Sequence, residues 1–599
     1  MAIAHQPDQK PHQKTFRIWG VLIAALGLVG GGAPVWGAEP TDLDGHWTRG
    51  CVSALAARRW IVGDGSGRVR PEEPIAARDF ATLLTQAVPE GMALPPEASV
   101  NRPVSRSQAL VWLAGRMGWM AQGDPRASAI LQHTFEDGAA VPWGDRGGVA
   151  AALRRGAIAL YPPSRRLNGA QPLKRGEAAA WICLGLADRL ETPATDSLQA
   201  LAVRPAEIRG VWLTNIDSDV LFEAGRLRGA IAELREMGFN TIYPTVWNEG
   251  YTLYPSAVAA AASGITVDPH PGLARRDAIG EAIAAAREAK LTAIPWLEFG
   301  LMAPADSALA RRNPDWLLQR QDGSTVDNRS GSGRVWLNPS HPEVRRFLVN
   351  LAVEVVKRYD ADGIQFDDHF AWPVEFGYDP VTIANWRRDR PPTPTPILPT
   401  PNNSAPGNPP AVAPVVALPD PEPPTDPSDR AWMRWRADQL SSLWQEIHAA
   451  VKAAKPTAIV SLSPNPAPFA YETALQDWPR WVSSGWVDEA IVQIYRQDVA
   501  SFEEHLREAN LQRASYRIPV AIGVLSGLRP KPVAIAVVEG QTQSVRRFQL
   551  SGISYFFYET LWNLTPEPAQ RRRQGIRRLL FHPAPRPLIT AETAPSVAP

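Results

Sequence analysis

From residue 208 onward, short apolar runs alternate with longer segments of mixed polarity. The runs 208–215, 241–247, 293–299, 363–367, 458–463, 490–495, 520–525 and 553–558 have the length and composition of buried strands. Between them, apolar positions recur at helical spacing, most clearly over 222–237, 275–290, 342–358 and 431–455. Eight apolar strands with interposed amphipathic helices predict an α/β fold, a (β/α)8 barrel of the TIM type spanning 207–580. An open doubly wound sheet would need a Gly-rich phosphate loop after the first strand, and Thr214-Asn-Ile-Asp-Ser218 offers none.

Residues 42–190 follow another pattern, a weak repeat of helical stretches separated by Gly- and Pro-containing turns. One unit opens on Asp42-Leu-Asp-Gly-His-Trp47 and another on Phe135-Glu-Asp137 with Trp143. Between them, a degenerate middle unit keeps Pro103-Val-Ser-Arg-Ser-Gln-Ala109 and its helix. This region resembles the S-layer homology repeat, whose closing signature is Thr-Arg-Ala-Glu. The signature positions are read as Ala77-Arg78-Asp79, Ser105-Arg106-Ser107-Gln108 and Lys174-Arg175-Gly176-Glu177, with the Thr absent from all three. The resemblance implies a mainly helical module that docks on cell-wall polysaccharide, with Arg78, Arg106 and Arg175 contacting an anionic sugar polymer.

The remaining segments divide by composition. Lys10, Lys14 and Arg17 precede a short apolar run and small residues near Ala38, so 1–38 is read as a secretory signal peptide. No later stretch has the ~20 apolar residues of a membrane span, and the mature chain is expected to be exported to the periplasm or cell envelope. Residues 191–206 form a polar linker, 391–430 hold fifteen Pro and read as a disordered insertion, and 581–599 form a tail. A net charge of +1 gives no reason to expect nucleic acid as a partner. The two cysteines, Cys51 and Cys183, are free to pair or to remain buried thiols. The 22 Trp are abundant enough to supply stacking faces for sugar rings as well as core.

Candidate chemistry centres on Asp362-Gly-Ile-Gln-Phe-Asp-Asp-His369, a strand that leaves on two carboxylates, a histidine and aromatics. In a barrel such strand ends form the mouth where reactions occur. Alternation along the strand puts Asp367 on the side of Gln365, facing the lumen, and leaves Asp368 as the second acid. Glycoside hydrolysis needs a partner carboxyl from another strand; Glu298 after the third strand and Glu559 after the eighth are the candidates. Trp212, Asn248, Trp296, His369, Trp372, Gln493, Tyr495 and Tyr558 are candidate substrate contacts. No zinc spacing or cofactor fingerprint occurs, so neither metal nor cofactor is expected. Asp367, Asp368 and His369 as cation ligands in a metal-dependent hydrolase or deacetylase form one competing reading, and a non-catalytic glycan-binding barrel the other.

The motifs Glu207-Ile-Arg-Gly-Val-Trp212, Asn240-Thr-Ile-Tyr-Pro-Thr-Val-Trp247, Trp296-Leu-Glu-Phe299, Trp336-Leu-Asn-Pro339, Ser461-Leu-Ser-Pro464 and Val492-Gln-Ile-Tyr495 join the Asp362–His369 stretch. Together they resemble glycosyl-hydrolase-like family 10. The resemblance implies an exported barrel that hydrolyses bacterial cell-wall glycan, one branch of the family acting on peptidoglycan strands stripped of peptide. Compared with family 18 chitinases, Gln365 replaces an inner Asp and His369 replaces the acid Glu, so the chitinase mechanism does not carry over.

Overall fold

The computed structural model describes residues 40–589 apart from 62, 65, 121–123, 188–197, 330, 390–421 and 530. The expected signal peptide, part of the linker, most of the Pro-rich insertion and the end of the tail lie outside the described residues.

Eight parallel strands close into a barrel. They are β1 (Ile208–Leu213), β2 (Thr241–Asn248), β3 in two pieces (Thr292–Ala293 and Trp296–Leu297), β4 (Gly363–Asp367), β5 (Ile459–Ser463), β6 (Glu489–Gln493), β7 (Val520–Leu525) and β8 (Gly552–Phe556). Each pairs with its sequence neighbour, and β1 joins β8 through Ile208↔Gly552 to complete the ring. Strands covered by helices on one side and closed on a filled lumen on the other are largely apolar, which is why the pattern is so readable. β4 and β7 have the expected bounds and the others differ by one or two residues at an end, two of them in ways that matter for the site. β3 is broken around Pro295, which has no N–H to give to a ladder. β8 stops at Phe556, so Tyr558 and Glu559 begin a short helix, Tyr558–Trp562, instead of ending a strand.

The lumen is sealed in layers. Midway up, Trp212 packs against Tyr243, Trp296 and Phe556 at centroid separations of 5.6, 6.1 and 6.0 Å. Gly523 makes room for this ring: a Cβ there would lie 3.3 Å from both Trp212 and Tyr495. Below, a polar chain runs from Trp212 Nε1 to Gln365 Oε1 (2.8 Å), from Gln365 Nε2 to Ser461 Oγ (2.9 Å) and from Ser461 Oγ to Glu489 Oε1 (2.9 Å). Glu489, at the first position of β6, is fully buried, and a buried carboxylate needs a partner. That partner is Arg586, which pairs with it while donating through Nε to Thr241 Oγ1 (3.1 Å). Residues 582–589, part of the expected tail, thus cross the N-terminal mouth of the barrel and close it.

The N-terminal module docks on this same face. Helices α1 (Arg49–Ala57), α2 (Ala77–Ala87), α3 (Arg106–Arg116), α4 (Ala127–Thr134), α5 (Arg146–Arg154) and α6 (Arg175–Gly185) surround a core separate from that of the barrel. Three extended segments meet at its centre in a cyclic arrangement. Ile75 N–H donates to Leu173 C=O (2.8 Å), Leu173 N–H to Val104 C=O (2.9 Å) and Val104 N–H to Ile75 C=O (3.2 Å). This three-fold register aligns Ala77 with Arg106 and Arg175, and Ala76 with Ser105 and Lys174. Arg78 therefore stands one position beyond the signature arginine, which corrects the alignment expected from sequence. The capping hydroxyl is also kept in one unit: Ser105 Oγ accepts from Gln108 N–H (3.3 Å) in a capping box. Cys51 and Cys183 form a disulfide that ties α1 to α6. The module meets the barrel through Leu588 N–H to His133 C=O (3.0 Å), Arg165 Nη1 to Arg586 C=O (3.0 Å) and Ala206 N–H to Thr134 Oγ1 (3.1 Å).

Candidate active site

At the C-terminal mouth, alternation along β4 holds to its last residue. Phe366 points outward to Phe370 and Trp444, while Gln365 and Asp367 point inward. Asp367 is 1% exposed. Its Oδ1 accepts from the His369 backbone N–H (2.9 Å) and its Oδ2 from Trp296 Nε1 (3.2 Å). Asp368 comes after the strand has ended and also stays at the mouth, half-buried, accepting from Gln493 Nε2 (2.9 Å) and Asn465 Nδ2 (3.0 Å).

Glu298, from the loop after β3, is the other buried acid at this point. Its Oε2 takes three donors, Thr214 Oγ1 (2.8 Å), Thr245 Oγ1 (3.0 Å) and Asn248 Nδ2 (2.9 Å). With Oε2 so occupied, a proton on this carboxyl belongs on Oε1. Thr245 was not singled out in the sequence analysis; its only signal is a polar residue inside the apolar strand β2.

His369 lies between the acids. Its Nδ1 is 2.8 Å from the Glu298 carbonyl oxygen, 3.3 Å from Asp367 Oδ1 and 3.9 Å from Asp368 Oδ1. A carbonyl oxygen can only accept, so Nδ1 carries hydrogen. Burial alone would lower the ring's pKa, but the charges of Asp368 and Asp367 outweigh it and hold the imidazole protonated, with a pKa of about 10. Burial raises Asp367 to about 7, opposed by the charge of His369. Glu298 is raised further, to about 8, by burial with the charge of Asp367 adding to it against the Thr214 hydrogen bond. Both acids are raised, and of the two only Asp367 has the His369 cation at its carboxylate, 3.3 Å away, which favours ionising Asp367 before Glu298, the division of labour that paired-carboxyl chemistry requires.

The ligand atoms of Asp367, Asp368 and His369 lie within 4.8 Å of one another, the outline of a cation site. The donor set does not fit one well: Nδ1 is committed as a donor to Glu298, and the imidazolium already supplies positive charge between the carboxylates.

The other expected site residues fall into two groups. Asn248, Trp296, Gln493 and Tyr495 surround the acids, with Tyr495 stacked on Phe556 at 5.3 Å. Trp212 is one layer below. Trp372 is fully buried with its indole N–H on Phe376 C=O (3.0 Å), leaving no face for a sugar. Glu559 is bound by Arg226, Ser218 Oγ (3.2 Å) and Asn563 Nδ2 (2.9 Å), and Tyr558 packs on Trp562, so the structure does not bring them to Asp367.

A raised acid leaves a mark on stability. Glu298 ionises near its ordinary 4.5 when unfolded and near 8 when folded. The unfolded chain therefore binds fewer protons between these values, and stability falls as pH rises through that window, by up to ~1.4 kcal/mol per unit. Glu298→Gln removes this slope. Its melting temperature relative to the unsubstituted protein should climb as pH rises from 4.5 to 8; a pH-independent difference would contradict the assignment.

The sequence of the barrel, from 207 to 544, matches the family described as Glycosyl hydrolase-like 10, and residues 134–179 match the S-layer homology domain. Among curated proteins, glycosyl hydrolase DigH of Escherichia coli K12 is 24% identical over 220 residues, 35% of this chain and 44% of that protein. Glycosyl hydrolase YngK of Bacillus subtilis is 31% identical over 94 residues, 13% of this chain and 16% of its own. The chain thus spans less than half the length of these relatives. Among solved structures, the PgaB (BpsB) glycoside hydrolase domain of Bordetella bronchiseptica superposes with a TM-score of 0.42 at 14% identity, over 62% of this chain and 98% of that one. The catalytic domain of β-amylase from Paenibacillus polymyxa gives 0.41 at 12%, over 62% and 97%. With more than half of its length matched, the chain belongs to the glycosyl hydrolase-like 10 family.

Proposed function

We propose that this protein is a glycoside hydrolase of bacterial cell-wall glycan, held at the cell envelope by its N-terminal module. The observation that carries the reading is the pair of buried carboxyls at the barrel mouth, Glu298 held by Thr214, Thr245 and Asn248, and Asp367 held against the His369 imidazole at 3.3 Å. Glu298 Oε1 gives its proton to the leaving glycosidic oxygen as the C–O bond breaks. Asp367, ionised, faces the sugar carbon and either bonds to it or takes a proton from the attacking water. His369 keeps Asp367 ionised beside a second acid, and Asp368 orients the amides of Asn465 and Gln493 toward the substrate.

The DigH and YngK likeness supports glycosyl hydrolysis, and the S-layer homology match and the signal-like N-terminus support an envelope substrate, with peptide-free peptidoglycan strands the first to test. The disulfide suits an oxidising compartment. Arg78 is exposed, whereas Arg175 is half-buried, with its Nε on Val69 C=O (2.8 Å) and its guanidinium 3.8 Å from Asp79. Arg106 is buried in an ion pair with Glu177 (3.1 Å) and acts by holding the second and third units together.

Asp367→Asn should lower release of reducing ends from peptide-free peptidoglycan by ~10²–10⁴-fold. Glu298→Gln should lose a similar factor on glycan but much less on aryl glycosides, whose leaving groups need no proton. Wild-type rates in either variant would refute the roles, and no reducing ends from any wall glycan would leave a binding protein. The full chain should sediment with isolated cell wall and be released by solubilised wall polymer; failure to sediment would remove the tether.

A further inference from the structure

The substrate reading asks for surfaces on which sugar rings can lie, and the Trp side chains do not provide them. Among the described residues of the barrel domain, every Trp is buried or half-buried. Two Phe or Tyr rings there other than Phe469 are exposed, and both lie at the opposite face: Tyr516 under Arg126 of the module and Phe581 after the last helix. Phe469, 55% exposed on the helix Ala467–Ala474 after β5, is the exposed ring at the mouth.

Phe469 borders a cavity of about 530 Å³, within the range of small-ligand sites. Pro466, Pro468, Phe469 and Tyr495 give it apolar surface, Asn465 and Gln493 a polar inner edge, and charged side chains, Arg496 and Glu508 among them, the rest of its lining. Those two amides are the ones that bind Asp368, so the cavity begins one residue from the catalytic acids. A pyranose ring has a face of C–H bonds and an equator of hydroxyls, and an aromatic plane beside fixed amides complements both. A second cavity, lined by Asn215, Glu249 and Arg529 among others, opens on the β1–β2 side of the same mouth. The acids thus stand between two open lobes.

We propose, resting on the glycosidase reading, that the Phe469 cavity is a sugar-binding subsite in which the Phe469 ring stacks on one hexopyranose of the glycan chain. The open lobe on the far side of the acids lets the chain continue past them, so internal bonds are the ones cut.

The test is calorimetric titration of the full-length Asp367→Asn protein with chito-oligosaccharide tetramer and hexamer and with peptide-free peptidoglycan strands. Adding Phe469→Ala should weaken binding about ten-fold, Phe469→Trp should retain it within about two-fold, and Phe581→Ala should leave it unchanged. Because Phe469 is exposed, the alanine variant should keep the parent's melting temperature. Equal affinity with and without the Phe469 ring overturns the subsite alone. Absence of binding by the parent overturns the subsite and the proposed function together. Active protein should shorten long strands from within; release of only terminal sugars would overturn the continuous cleft.

Discussion

The contact on which the rest of this site depends is the approach of the His369 ring to the buried carboxyl of Asp367 and the half-buried one of Asp368. Between Nδ1 and Asp367 Oδ1, 3.3 Å apart, the attraction is ~5 kcal/mol at an effective dielectric near 20. Without it, burial would push Asp367 further toward the protonated form, which can serve as neither nucleophile nor base. Backbone details exist to secure that approach. Gly300 adopts φ +49° beside the His369 carbonyl, where a Cβ would meet the backbone at 2.8 Å. The adjacent Leu301 N–H then donates to that carbonyl (3.0 Å). The break in β3 frees the chain at Glu298 to offer its carbonyl to the ring and its carboxyl to Thr214, Thr245 and Asn248.

The two ends of the barrel are put to opposite uses. The C-terminal mouth is open and keeps its charged groups in partial contact with solvent. The N-terminal mouth is closed by Arg586, and the segment carrying it is sandwiched against the module. Under the proposed function, a tether on the closed face would direct the acids away from the anchoring surface. In this arrangement residues 582–589 have a structural task that their composition does not announce.

Much of this was legible in the sequence because burial on both faces of a parallel strand writes an uninterrupted apolar run. β4 and β7 fall on the expected bounds, and alternation alone placed Asp367 inward with Gln365. Long-range geometry was less readable. Nothing local says that Trp372 turns into the helical layer, or that Glu559 belongs to a helix and an ion pair with Arg226 instead of a strand end. The arginine register failed for a related reason: Ala77 occupies the first unit's signature position, and the nearby Arg78 drew the alignment by one residue. Only the cyclic hydrogen bonds among Ile75, Val104 and Leu173 fix it. The stacking surface was sought among Trp, yet large indoles are the side chains that gain most from burial, and the exposed ring is a Phe.

The most direct test of the account is the ¹⁵N NMR signature of His369 in the folded protein. The structure calls for a doubly protonated ring at neutral pH, titrating well above the ordinary range for histidine, and moving back toward that range in Asp367→Asn. A neutral ring at pH 7, or a titration indifferent to Asp367, would contradict the charge arrangement from which the roles of Glu298 and Asp367 are derived.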